Sequence, residues 1–329
     1  MVKEIKQDNF IKVNCPICDM NDCHFVLSGR DKLINIKGVF DLVECNRCNL
    51  MYLNPQPTMK LLYKHYSHDY PGSSNRNLKQ IVFRKSFKDN ILYRLFLLSK
   101  KGVIDSINRS HILSTHTRLL DIGSGNGGFL YALNEVKGVR GIGVEIDKTA
   151  VEFSKNTLNL NIQLNTFKNF DYAGKKFDVV TMFEYFEHEL DPNYTLKKVK
   201  KLLKENGLLV IELPNIESFL FKIFGKNWVN LDLPRHVFHY SPSTITKILK
   251  KNGYEIIKIE QYPVVSLVTS LTHFLNLNKY VEKVTNLPIL FSILLFHLPV
   301  KIVESFFGYI FKVLGSSDIM AVYAKPKIN

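Results

Sequence analysis

The chain has 329 residues, of which 46% are hydrophobic and 22% are charged. This profile is that of a folded globular protein, and it excludes a disordered chain, a collagen-like repeat and a multi-pass membrane protein. The 44 Lys and Arg against 30 Asp and Glu give a net charge of +14, which indicates either an anionic partner or a compositional bias toward Lys.

The excess positive charge lies in two stretches. Residues 71–118 carry a net charge of +8 and residues 214–329 carry +6, whereas residues 1–70 and 119–213 carry only +1 and −1. The N-terminus shows no apolar segment of a secretory signal, and all five cysteines precede residue 49. We therefore expect a cytoplasmic protein.

Two C-x2-C pairs in the first 50 residues predict a zinc-ribbon module over residues 1–70. Each pair forms a tight turn, and two such turns place four thiolates around one Zn²⁺. Cys23 and His24 are spare candidates in the intervening loop. The metal is expected to be structural, because so short a segment with few large apolar groups has a thin core. The predicted ligands are Cys15, Cys18, Cys45 and Cys48.

Residues 71–118 form a basic helical linker in our interpretation. Apolar residues recur at helical spacing between basic ones across 75–112, which indicates amphipathic helices. We expect them to cap the following domain, with a membrane or partner surface as the alternative.

From residue 119, strands and helices alternate, which predicts a doubly wound, Rossmann-like α/β fold. We assign residues 119–263 to the core of this domain and 316–329 to its final strand and tail. The strands are expected at 118–122, 141–146, 177–183, 208–213, 254–260 and 319–325. A helix is expected over 196–204, and Ser241 is expected to cap a further helix that runs to Gly253.

An apolar helical insertion is predicted over residues 264–315, before the last strand. Its longest charge-free window, 284–300, has about 17 residues and contains Pro288 and Pro299, which is short for a membrane-spanning helix. We expect a lid over the substrate pocket. A helix lying on the inner face of the membrane is the second interpretation, and a transmembrane span is the third.

A glycine-rich turn follows the first predicted core strand, with Gly123, Gly125 and Gly127 after Asp121. Glu145 ends the next strand 18 positions after Gly127, where a ribose diol would be held, so the pair predicts a nucleoside cofactor. Asp121 would repel a pyrophosphate but can pair with an ammonium group. That favours S-adenosylmethionine (SAM) over NAD.

This stretch resembles the first motif of the class I SAM-dependent methyltransferases. The resemblance implies a seven-stranded sheet, with Asp121 and the glycine loop at the amino-acid end of SAM and Glu145 on its ribose. The adenine contact would fall near residues 165–167, and Phe183 would form the floor of the methyl-donor site. The implied cofactor residues are Asp121, Gly123, Ser124, Gly125, Gly127, Glu145 and Phe183.

Residues 184–192 resemble the E-x-x-E-H-x-x-D-P stretch of small-molecule methyltransferases. In ubiquinone-pathway O-methyltransferases a similar set binds a divalent cation, so Glu184, Glu187 and His188 are candidate ligands for Mg²⁺. Glu187 and His188 are also candidate catalytic residues. The alternative is that they only fasten the turn between strand and helix.

Residues 228–241 resemble a block found in methyltransferases that carry an N-terminal zinc ribbon. His236 in this block is the leading candidate for a general base, since an imidazole could take the proton of a substrate hydroxyl. The alternative is a histidine that locks the loop by hydrogen bonding. Arg235 is a candidate for binding a substrate phosphate.

The sequence thus predicts a SAM-dependent methyltransferase that acts on a small molecule or a glycan precursor, with O-methylation favoured. The acceptor is expected to bear phosphate, as in a nucleotide- or lipid-linked sugar. A cation-assisted quinone or lipid O-methyltransferase, an RNA-modifying enzyme and a non-catalytic SAM-binding protein are the alternatives. RNA is disfavoured because no N/D-P-P-Y motif follows residue 183 and no cysteine follows Cys48.

Overall fold

The computed structural model describes residues 9–34, 36–66, 91–262, 266–275 and 298–327. Two sequence predictions lie partly outside these ranges. They are the first part of the basic linker, before residue 91, and residues 276–297 of the apolar insertion.

The described elements are thirteen strands and nine α-helices. The strands are β1 (Phe10–Ile11), β2 (Cys23–Gly29), β3 (Phe40–Cys45), β4 (Met51–Leu53), β5 (Gln56–Pro57), β6 (Leu119–Ile122), β7 (Ile142–Glu145), β8 (Asn161–Leu164), β9 (Phe177–Phe183), β10 (Leu203–Pro214), β11 (Phe238–His239), β12 (Tyr254–Gln261) and β13 (Ile319–Pro326). The helices are α1 (Met59–Leu62), α2 (Ile91–Ser110), α3 (Gly128–Lys137), α4 (Lys148–Leu158), α5 (Pro192–Leu202), α6 (Phe219–Phe224), α7 (Pro242–Lys251), α8 (Leu267–Phe274) and α9 (Leu298–Val313).

A seven-stranded sheet with the order β12-β13-β10-β9-β6-β7-β8 forms the core. Strands β6 to β10 run parallel, and β13 is antiparallel to both β10 and β12. This topology confirms the predicted Rossmann-like α/β fold. Strand β8 was not located from the sequence, because it is a four-residue edge strand in which only Ile162 is buried.

Helix boundaries follow local capping signals. The helix expected at 196–204 begins instead at Pro192, because the Asp191 carboxylate accepts a hydrogen bond from the Tyr194 amide at 3.0 Å and caps it. It ends at Leu202, and β10 starts directly afterwards. The predicted cap of α7 is confirmed, since the Ser241 hydroxyl accepts from the Thr244 amide at 3.2 Å.

The N-terminal segment forms a four-stranded antiparallel sheet with the order β11-β4-β3-β2. Its edge strand β11 comes from the core domain, where Phe238 pairs with Tyr52. The two parts also share one hydrophobic cluster, in which Cys15 and Tyr52 are buried together with Tyr240. The N-terminal sheet therefore holds the 228–241 segment in place.

Helices α8 and α9 of the apolar insertion lie beside α6. The Phe224 and Phe274 rings are 6.0 Å apart, and those of Phe219 and Phe311 are 4.8 Å apart. Among the described residues, no helix combines the length and apolar character needed to cross a membrane. The roles of lid and membrane contact stay predictions.

Candidate functional site

The glycine-rich turn joins β6 to α3 at the carboxyl edge of the parallel strands. Gly123, Gly125 and Gly127 all have left-handed backbones, with φ of 72°, 53° and 76°, which glycine adopts without steric cost. A Cβ on Gly123 would lie 2.4 Å from the Tyr185 ring, whereas one on Gly125 would meet open space. The Tyr185 ring therefore packs against the turn at Gly123, whereas the space beside Gly125 is open to a ligand.

Asp121 lies buried beneath this turn. The Thr181 hydroxyl donates a 2.6 Å hydrogen bond to its Oδ1, which orients the carboxylate. Burial raises the pKa of Asp121 to about 7, since the charged form is poorly solvated there. A cationic ligand group would stabilise the ionised form.

Glu145 ends β7 and faces the glycine turn. Its Oε2 accepts a hydrogen bond from the Gly125 amide at 2.8 Å, and its Oε1 accepts from the amides of Ile146 and Asp147 at 2.7 and 2.8 Å. The carboxylate is therefore fixed next to the open side of the turn. A nucleoside diol could replace the Gly125 amide as its partner.

Two other predicted cofactor residues frame this edge. The Ser124 hydroxyl is buried and has no hydrogen-bond partner in the described part of the chain. The Phe183 ring lies at the end of β9 and makes an edge contact with Phe129, with centroids 4.7 Å apart. Both residues thus lie near the carboxyl edge of the parallel strands, and their contact with a cofactor stays a prediction.

The turn after β9 carries an unpartnered buried carboxylate. Glu187 is 1% exposed, and neither of its oxygens accepts a hydrogen bond from the residues that the structure describes. Burial raises its pKa to about 8. Such a group is costly without a proton or a cation beside it.

The structure groups Glu187 and His188 with His236, and their ligand atoms lie within 4.8 Å of one another. The sequence had placed Glu184 in this set. Glu184 is instead exposed, in a left-handed backbone with φ of 50°, and among the described residues it belongs to no group with metal-ligand spacing. His236 joins the set because the 228–241 segment folds back over the turn.

The His236 imidazole is held in one orientation. Its Nδ1 donates to the Asn230 carbonyl at 2.8 Å, so Nε2 is the acceptor nitrogen of the neutral ring. Nε2 lies 3.8 Å from Glu187 Oε1 and 3.9 Å from Asp232 Oδ2. Burial lowers the pKa of His236, which keeps the ring neutral near pH 7.

Arg235 does not face a substrate, contrary to the expectation that it binds a phosphate. It is fully buried and pairs with Asp31 through NH1 at 2.9 Å and NH2 at 3.0 Å, and with Asp232 through Nε at 2.9 Å. His65 Nδ1 lies 2.7 Å from Asp31. These four residues form what we call the Arg235 cluster, which ties the N-terminal segment to the loop that carries His236.

The four predicted zinc ligands come together, with all Sγ atoms within 4.8 Å of one another. The Sγ atoms of Cys15 and Cys48 are 3.5 Å apart, close to the distance of about 3.8 Å that Zn–S bonds of 2.3 Å impose in a tetrahedron. Both C-x2-C turns end in a left-handed residue, Asp19 or Asn49. The sulfur set fits Zn²⁺, and Cys23 and His24 lie outside it.

A family model described as a methyltransferase domain matches residues 83–259, which is more than half of the chain. The chain therefore belongs to the methyltransferase-domain family. Two curated relatives are named ubiquinone biosynthesis O-methyltransferase. The Coxiella burnetii protein is 28% identical over 152 residues, which are 43% of this chain and 64% of the relative, and the Pelagibacter ubique protein is 30% identical over 154 residues, which are 44% and 63%.

The chain thus spans slightly less than two thirds of the length of these relatives. Among solved structures, a putative sarcosine dimethylglycine methyltransferase from Galdieria sulphuraria matches with a TM-score of 0.50 at 13% identity, over 74% of this chain and 91% of that one. This likeness supports the fold alone.

Sequence reasoning missed part of the candidate site. Asp31, His65 and Asp232 pack around Arg235 but are scattered over 200 residues, and nothing in their local sequence marks them. Tyr66 was also missed, although its hydroxyl lies 2.8 Å from His188 Nδ1. Only the fold brings these residues to one place.

Proposed function

We propose that this methyltransferase transfers the methyl group of SAM to a hydroxyl of a small molecule or glycan precursor, with His236 as the general base. The observation that carries the proposal is the fixed, neutral imidazole of His236. Its Nδ1 is occupied by the Asn230 carbonyl, and its Nε2 accepts no hydrogen bond from the described residues. An acceptor nitrogen of this kind can take a hydroxyl proton.

His236 also lies near the edge of the sheet at which we propose that the cofactor binds. The 184–188 turn follows β9 and the glycine turn follows β6, and these two strands are neighbours in the sheet. The carboxyl ends of parallel strands meet at one edge, which is where ligands bind in such folds. A hydroxyl near His236 would therefore be close to a cofactor bound over the glycine turn.

Asp121, Glu145 and His236 have different roles in the proposed methyl transfer. Bound SAM supplies a methyl group already activated by its sulfonium. Asp121 would pair with the cofactor ammonium and Glu145 would hold its ribose. As the acceptor oxygen forms its bond to the methyl carbon and the C–S bond breaks, His236 Nε2 would take the hydroxyl proton. General-base help of this kind contributes about 10²–10⁴-fold in rate.

The choice of oxygen as acceptor atom has independent support. The curated relatives in the comparison carry the name O-methyltransferase, and a neutral imidazole suits the removal of a hydroxyl proton. The acceptor class rests on charge, because the positive segments flank a nearly neutral core. A sugar carried on a nucleotide or lipid phosphate fits this distribution.

A second candidate is a cation-assisted O-methyltransferase of the quinone or lipid type. The unpartnered Glu187 carboxylate favours it, since a divalent cation held by Glu187, His188 and His236 would compensate the buried charge. Such an ion would supply Lewis-acid help to a bound hydroxyl. Two imidazoles suit Mn²⁺, Fe²⁺ or Zn²⁺ better than the Mg²⁺ expected from the sequence.

We also propose that Cys15, Cys18, Cys45 and Cys48 hold a structural Zn²⁺. The ion would link the two turns that flank β2 and β3. Because this segment supplies strands β2 to β4 to the sheet that receives β11, its folding would fix the loop that carries His236.

The test uses isotopically labelled SAM with three acceptor pools, namely nucleotide sugars, polyprenyl-linked sugars and reduced quinones, and mass spectrometry of the products. His236→Ala should lower turnover at least 100-fold while the affinity for SAM, measured by calorimetry, stays unchanged. The exposed His116→Ala is the matched control. Unchanged turnover of His236→Ala refutes its role as base.

The two candidates differ in their response to metals and to Glu187. Under the cation-assisted scheme, Glu187→Gln abolishes turnover, and added Mn²⁺ raises turnover of the wild type but not of the variant. Under the metal-free scheme, added cations leave the wild-type rate unchanged. Methylation of RNA, with none of the three acceptor pools labelled, would overturn both candidates.

A further inference from the structure

A basic cleft lies beside Asp232, in the loop that carries His236. It opens between the β2–β3 connection, the 225–233 segment and helix α8. Three cationic side chains and one histidine contribute to it: Arg30, Lys32, Lys226 and His273. The other lining residues are Leu33, Trp228, Val229, Leu231, Asp232 and Leu233.

The positive charges in the basic cleft are not compensated within the described part of the chain. None of Arg30, Lys32 and Lys226 forms an ion pair there, and Asp232, the single acidic residue in the lining, is engaged by Arg235. Lys32 is half-buried, and burial together with the Lys226 charge lowers its pKa. Like charges brought together this way are unfavourable unless an anion joins them.

His273 provides a second, independent sign of a ligand. The ring is 7% exposed, and its Nδ1 has no hydrogen-bond partner among the described residues. Buried polar atoms of folded proteins are nearly always hydrogen-bonded. A phosphate oxygen in the basic cleft would accept a hydrogen bond from this ring.

Hydrogen bonds link the walls of the basic cleft, which lies close to the proposed reaction site. Lys32 Nζ donates to the Asn227 side chain, and the Val229 amide donates to the Ser270 hydroxyl at 3.2 Å. Asp232 lines the cleft, and its Oδ2 lies 3.9 Å from His236 Nε2. A ligand in the cleft is thus one side chain away from the candidate base.

We propose that the basic cleft binds the diphosphate of the acceptor and thereby presents a hydroxyl of the attached group to His236. The part of this inference that orients the acceptor toward His236 rests on the proposed function. The binding of diphosphate does not depend on turnover. Two adjacent phosphates match several separate cationic groups better than one phosphate would. The ligand class is therefore a diphosphate ester.

Binding of inorganic diphosphate to the whole protein, measured by calorimetry, tests the site directly. Lys32→Gln combined with Lys226→Gln should weaken binding at least tenfold, and Lys226→Gln alone, at an exposed position, should weaken it severalfold. The matched control replaces two exposed lysines outside the cleft, Lys155→Gln with Lys176→Gln, and should bind as the wild type does. Equal binding by all variants overturns the proposal.

Two further arms identify the source of the diphosphate. In the first, UDP-glucose is titrated. In the second, phosphatidylcholine vesicles with 5 mol% polyprenyl diphosphate are sedimented with the protein. If the Lys32→Gln, Lys226→Gln variant binds either ligand more weakly than the wild type does, the site is supported and its ligand is identified. If the variant binds both ligands as well as the wild type does, the proposal is overturned. A protein that binds diphosphate through these lysines but methylates no acceptor refutes the proposed function and leaves the cleft assignment standing.

Discussion

Arg235→Met removes the central charge of the Arg235 cluster and leaves two buried carboxylates, Asp31 and Asp232, without their partner. The guanidinium is fully buried, and its bonds to Asp31 are 2.9 and 3.0 Å long. Breaking a buried ion pair by removing one member costs about 3–5 kcal/mol of unfolding free energy. For a chain of this size, that corresponds to a fall in Tm of about 4–7 °C.

The pH dependence of this loss follows from Asp31. Burial alone would raise the pKa of Asp31, but its hydrogen bonds with His65 and Arg235 and the Arg235 charge lower it to about 2. In the unfolded chain the pKa of Asp31 is near 3.8. At pH values above this, the lowered pKa of the folded state contributes about 2 kcal/mol to the free energy of unfolding. This contribution disappears as the pH falls toward 2. In Arg235→Met, Asp31 keeps its contact with His65 but loses the Arg235 charge, so its carboxylate takes up a proton more readily. The difference in unfolding free energy between wild type and variant therefore narrows as the pH falls from 7 to 4.

The assay is urea unfolding followed by far-UV circular dichroism at pH 7 and pH 4, with zinc held constant. Arg47→Met is the control, because within the described ranges the Arg47 side chain forms one exposed ion pair, with Asp22 at 4.0 Å, and its loss should cost under about 0.5 kcal/mol. Asp31→Asn with Arg235→Met should cost less than the sum of the two single changes. A loss below about 1 kcal/mol for Arg235→Met at pH 7 would show that the cluster does not hold the two parts together.

The remaining predictions concern the two cofactor sites. Because burial raises the pKa of Asp121 to about 7, the carboxylate that we propose to pair with the SAM ammonium becomes protonated as the pH falls, and calorimetry should find SAM bound about tenfold more weakly at pH 6 than at pH 8. Asp121→Asn should bind weakly with little pH dependence, and equal wild-type affinity at both pH values contradicts the assignment. Elemental analysis should find zinc in the wild type and in Cys23→Ser but not in Cys48→Ser, and full zinc content in Cys48→Ser would exclude Cys48 as a ligand.

Local sequence patterns were sufficient for most of the core sheet. Strand 177–183 and the Ser241 cap of α7 were predicted at the residues where they occur, because both depend on neighbours in the chain. The start of α5 was placed four residues too late. The prediction placed the start of this helix at the first residue of the apolar pattern, whereas the Asp191 cap sets the start at Pro192.

The sequence by itself determined the α/β fold, the positions of the glycine turn and Glu145 on it, and the pairing of two C-x2-C turns. Each of these rests on spacing within one segment, where backbone geometry fixes which residues meet. The tertiary structure alone decided that His236 lies beside Glu187 and His188, that Arg235 is buried against Asp31, and that Lys32 and Lys226 share a cleft. These residues are about 50 to 200 positions apart, and their proximity depends on how the N-terminal sheet packs against the 228–241 segment.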